Sequence, residues 1–142
     1  MKLFGVICLA GLLSLIVGIG VTLVGSALLP CYGDKAGCGL GDAYRIFFVP
    51  IYVLVGMIGF GISAAGKNRE RPLWLTMLTL ILASVFLGLF AVASDVSHGR
   101  SATGAGLVEM FQIFSAFWTV IVLQWLTIRN YLRRRDSTQV IA

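Results

Sequence analysis

The chain has 142 residues, of which 58% are hydrophobic and 12% charged, with a net charge of +5 and a mean hydropathy of +0.95. Soluble domains carry roughly 45–50% apolar and about 25% charged residues, so the composition excludes a soluble globular domain and predicts an integral membrane protein. The basic excess sits in short blocks without aromatic interleaving beyond Tyr131, which fits membrane lipids as partners and no nucleic acid.

A hydrocarbon core about 30 Å thick takes roughly 20 helical residues to cross. Four runs satisfy this, at about 3–29, 46–65, 73–93 and 107–128. They predict an all-α integral membrane fold, a single four-helix transmembrane domain over 1–142 in up-down order, with 129–142 as a basic cytoplasmic tail.

The first run, Leu3 to Leu29, holds no ionisable side chain except the Cys8 thiol, which reads as a small apolar residue. It is too long for the apolar region of a secretory signal, which covers about 7–15 residues. "LLPC" also puts proline where a lipoprotein cleavage site needs a small residue. The run is therefore expected to stay as a helix about 40 Å long that tilts or projects beyond the bilayer. Gly11, Ser14, Gly18, Thr22 and Gly25 advance by three or four along one stripe. Helices in lipid gain little from hiding apolar side chains from one another, so close approach through small residues is the main packing cue.

The connection "PCYGDKAGCGLGDAYR", 30–45, carries Cys31 and Cys38. In an oxidising exterior compartment the pair is expected to form a disulfide, contributing roughly 2.5 kcal/mol by closing a short loop. A reactive pair is the rival reading. Four spans with a cysteine pair after the first resemble, in layout, the quinone-linked membrane oxidoreductases that reoxidise periplasmic disulfide catalysts. Those enzymes use a Cys-x-x-Cys pair and a second exterior pair, whereas this chain has Cys-x6-Cys and no cysteine in its third connection. No family is assigned on that layout.

The second run begins with Pro50 expected in its first turn or so, and repeats the small-residue device at Gly56, Gly59 and Ser63. A short basic connection, "GKNRER", leads to Pro72 at the start of the third helix, where the missing N–H costs nothing. Thr76, Ala83, Gly88 and Ala91 give the third run a looser version of the same face.

The third connection holds His98, the single histidine, with Asp95 three residues before it and Glu109 beyond. These lack a closed ligand spacing and read as a solvated loop, so no metal and no cofactor is expected. Asp95, Ser97 and His98 are also too close in sequence for a nucleophilic triad, whose members come from distant segments.

The fourth run carries the evident polar face: Glu109, Gln112, Ala116, Thr119, Leu123 and Thr127 are spaced by three or four, with Gln124 about 60° away. Glu109, Gln112 and Thr119 could serve headgroup water, hydrogen bonds within the bundle, or the wall of a proton or solute path. Arg133, Arg134 and Arg135 in the tail are candidates for lipid headgroups.

Lysine and arginine set the orientation. Lys2, Lys67, Arg69, Arg71, Arg129, Arg133, Arg134 and Arg135 fall on one side, against Lys35, Arg45 and Arg100 on the other. This predicts both termini inside and the 30–45 and 94–106 connections outside, in a bacterial inner (plasma) membrane. The expected role is a non-enzymatic accessory or assembly subunit that packs against other transmembrane helices in a homo- or hetero-oligomer. The alternatives are a thiol-disulfide oxidoreductase using Cys31 and Cys38, a small transporter or channel using the fourth-run face, and a lipid-interacting protein using "YLRRRD".

Overall fold

In hydrocarbon every backbone N–H and C=O must be satisfied within the chain, and a charge-free apolar run achieves this as a helix. The computed structural model describes residues 2–28, 35–65, 70–97 and 104–140, and each segment is one α-helix. They are α1 (Lys2–Leu28), α2 (Lys35–Ala65), α3 (Glu70–Ser97) and α4 (Gly104–Val140). Three contain a stretch long and apolar enough to cross a membrane: Leu3–Leu28, Ile46–Ala65 and Glu70–Phe90.

The helices overrun the apolar runs. Lys35 to Arg45, expected in a loop, forms the start of α2, and α4 continues through the basic segment to Val140. Once a helix is nucleated, each added residue gains a backbone bond, so growth proceeds into polar flanks. The apolar run marks only the part that lipid would require. Pro50 accordingly lies in the interior of α2, not in its first turn. The Ile46 carbonyl there lacks its usual N–H donor, yet the helix continues to Ala65.

Some expected features lie outside the described residues. Cys31 is one, and Cys38 is described only as a backbone position of α2, so the Cys31–Cys38 bridge falls outside them. The side chains of Asp95, His98, Glu109, Gln112 and Arg135 do as well. Cys8 is a free thiol, half-buried on α1.

Helix α4 touches α1, α2 and α3, and α2 touches α1 and α3, whereas α1 and α3 do not meet among the described residues. Helices α2 and α4 thus occupy the short diagonal of the bundle. Ile7 lies against Gly61, Gly11 against Met57 and Gly18 against Val49, so α1 and α2 run in opposite senses. Ser84 meets Trp118 and Glu70 meets Arg133, which sets α3 against α4 in the same way. Tyr52 meets Phe117 and Gly56 meets Ile121, so α2 and α4 are parallel.

Small residues make these approaches possible. A Cβ on Gly18 would sit 2.8 Å from Val120 Cγ2 and from Val49 Cγ1, and one on Gly11 would meet Met57 Sδ at 2.5 Å. At Gly59 the neighbour is Thr76 Cγ2, 3.2 Å from the Cβ position. Ser63 donates to the Gly59 carbonyl and pairs with the Thr76 hydroxyl, fastening α2 to α3. At Gly25 nothing lies within 4 Å of the Cβ position among the described residues.

Gly18→Ala should therefore cost about 1–3 kcal/mol through overpacking between α2 and α4. Gly25→Ala should be neutral or stabilise by up to about 1 kcal/mol through helix propensity. Unfolding the two variants in parallel in mixed micelles reads the contrast directly; equal effects would contradict the packing described.

The buried interior forms two clusters. One, at the end where α1 and α3 begin, includes Ile7, Phe60, Leu73, Ile121 and Ile128. The other, toward the opposite end, is built from Val49, Val53, Ala116 and Val120, without a buried member from α3 among the described residues.

Candidate functional site

Two features of the bundle carry polar chemistry among the described residues. The first is at its centre, where Gln124 on α4 is fully buried together with Ser14 on α1. Phe117, Val120, Ile121, Gln124, Ile128 and Leu132 are all buried and spaced by one, three or four, so a single face of α4 turns inward. Gln124 is the polar member of that face.

The Gln124 amide nitrogen donates to Ser14 Oγ at 3.0 Å and to the Val53 carbonyl at 3.2 Å, tying three helices at one level. The Ser14 hydroxyl donates to the Gly11 carbonyl at 2.9 Å, so its oxygen is free to accept. Both amide protons of Gln124 are thus used. Its Oε1 is buried without a hydrogen-bond partner. It faces Gly56, where a Cβ would collide with it.

The arrangement can fix the register of α1, α2 and α4, because any axial slip separates a buried amide from both acceptors. It offers no ionisable group. A second polar bond, from Trp118 Nε1 to Ser84 Oγ at 2.8 Å, joins α4 to α3. Ser84 in turn donates to the Ile81 carbonyl at 2.7 Å.

Of the face expected to be functional, Thr119 is the member whose side chain is described. Thr119 is half-buried and donates to the Ser115 carbonyl of its own helix at 2.8 Å, and Thr127 does the same to Leu123. Thr119 lines a shallow outward-facing groove with Trp118, Val122, Leu123 and Leu126. The structure therefore sets Gln124, and not Thr119, among the interhelical hydrogen bonds. The signal available in sequence was an amide in mid-run, with Val120, Ile121 and Ile128 three or four residues away.

The second feature lies at the end where α3 begins. A groove of about 370 Å³ opens between α3 and α4, with Glu70, Arg71, Trp74, Trp125 and Arg129 on its walls. The Arg129 guanidinium carbon sits 4.7 Å from the Trp125 ring centroid, a cation–π contact. Arg133 Nε donates to Glu70 Oε1 at 3.3 Å, both side chains more than half exposed. Such an exposed pair contributes about 0–1 kcal/mol. Arg133 is thus engaged with Glu70, and Arg134 is exposed.

Compared with protein-family models, curated proteins and solved structures, the chain has no significant match.

Proposed function

We propose that the chain is a four-span membrane protein with both termini on the cytoplasmic side, acting as a non-enzymatic accessory or assembly subunit of a larger membrane complex. The observation that carries this reading is a division of labour between inside and outside. The interior polar groups Gln124, Ser14, Ser63, Thr76, Ser84 and Trp118 are engaged in bonds between helices. The outward surface of α1 is apolar, with Phe4, Leu12, Ile16 and Leu28 each more than half exposed. Among the described residues, nothing lies within 4 Å of where a side chain on Gly20 or Gly25 would be, which suits the close approach of another helix.

The central position of α4 supports it as the fourth span, since its buried face packs against the three helices that are long and apolar enough to cross. The distribution of lysine and arginine supports an inner (plasma) membrane orientation with the 30–45 and 94–106 connections outward.

The test is gentle detergent extraction at native expression, combined with in-membrane crosslinking from a cysteine introduced at Gly25. A discrete assembly larger than the 15.3 kDa chain, crosslinked through that position, is expected. A monomer without crosslinked partners would reject the reading.

A further inference from the structure

We infer that the groove between the start of α3 and the later part of α4 binds the phosphate of an anionic phospholipid, through Arg71 and Arg129. This rests on the membrane-spanning reading above and adds to it a ligand and a place. Arg71 has no carboxylate partner among the described residues, and Arg129 makes its contact with the Trp125 ring alone. Both guanidinium groups therefore keep N–H donors, and both residues line a groove with room for a headgroup.

A guanidinium matches a phosphodiester because its planar fork places two donors on two oxygens. The carboxylate on the groove wall, Glu70, would repel an anion, but its charge is offset by Arg133 at 3.3 Å. The walls thus carry two cations against one neutralised acid. The apolar side of the groove suits the rest of such a lipid: Trp74 is 49% exposed and Leu75 55% exposed, immediately beyond the arginines on the Glu70–Phe90 span. Tryptophan at this depth presents an apolar ring to acyl chains and an N–H to headgroups.

The occupant is a lipid, not free phosphate, because the cationic groups border an exposed apolar wall that a free ion would leave uncovered. Arg133 is not its main ligand. Arg133 already serves Glu70, so the specific contacts fall to the two residues on the groove wall.

The full chain, reconstituted in vesicles, reports on the groove through its own tryptophans. Quenching by brominated phosphatidylglycerol is compared with quenching by brominated phosphatidylcholine. The native protein should prefer phosphatidylglycerol, and Arg71→Gln and Arg129→Gln should each lower that preference roughly fivefold, as expected for one cation at a membrane surface. Arg134→Gln should leave most of it. Undiminished quenching by phosphatidylcholine in the variants shows that they remain inserted. Equal quenching of the native protein by both lipids would overturn the proposal, as would a preference that survives Arg71→Gln/Arg129→Gln. Loss of the preference in millimolar inorganic phosphate at constant ionic strength would assign the groove to the free ion and also overturn it. Absence of quenching by either lipid would reject both this proposal and the membrane-spanning reading, whereas quenching without preference rejects this proposal alone.

Discussion

Gly56→Ala should destabilise the bundle by about 2–4 kcal/mol, measured by unfolding in mixed micelles. A single methyl group there cannot be accommodated without moving Gln124, because the Cβ position collides with Oε1 and lies 3.0 Å from Ile121 Cδ1. Overpacking of this kind costs about 1–3 kcal/mol. Displacing Gln124 also breaks its bonds to Ser14 and Val53, each contributing about 0.6 kcal/mol on the average for interhelical bonds in membranes. The mechanism makes a further demand on the double variant. If the collision with the amide is the cause, Gln124→Ala should relieve much of the cost of Gly56→Ala, and the two changes should be strongly non-additive. Simple additivity would show that Gly56 acts through Ile121 or through the helix backbone instead.

Phe60→Ala should cost about 2 kcal/mol, less than the roughly 3–5 kcal/mol typical of a buried phenylalanine in a water-soluble core. Phe60 is fully buried, packed in the cluster with Ile7, Leu73 and Ile128. In a soluble protein the loss has a transfer part and a cavity part. For a helix that stays in lipid when the bundle comes apart, the transfer part nearly vanishes, since acyl chains are as apolar as the core. What remains is a void of about 100 Å³ at about 24 cal/mol per Å³, or about 2.4 kcal/mol. A measured cost above about 4 kcal/mol would mean that this ring meets water in the disassembled state, placing Phe60 outside hydrocarbon.

The three apolar spans and their small-residue contacts were legible in the sequence because both follow from short-range rules. Length and freedom from charge identify a span, and glycine at intervals of three and four identifies a close approach, as at Gly11, Gly18, Gly56 and Gly59. Helix ends were less legible. Hydropathy falls at Arg45 and Ile128, but backbone bonding does not stop where hydropathy does, so α2 and α4 run on and Pro50 finds itself inside a helix. The polar centre was less legible for a different reason. A helical wheel shows which residues share a face but not which face the neighbouring helices occupy. Glu109, Gln112 and Thr119 form the more conspicuous set by count, yet the inward direction of α4 is set by Val120, Ile121 and Ile128, and Gln124 travels with them. The groove at Arg71 and Arg129 joins residues from two helices, so no reading along one helix could assemble it.

The contact between α4 and all three other helices bears on the order in which the bundle can be completed. Synthesis runs from the N-terminus, so α1, α2 and α3 are made before the side chains of α4 exist. Among the described residues α1 and α3 do not meet, so the three early helices are joined there through the two sides of α2, and the space for Gln124 lies beside Gly56. Ser14 donates to the Gly11 carbonyl within its own helix, a bond that does not need α4. The polar lock at the centre closes when the last of the four helices arrives, which makes α4 the step that commits the assembly to one register.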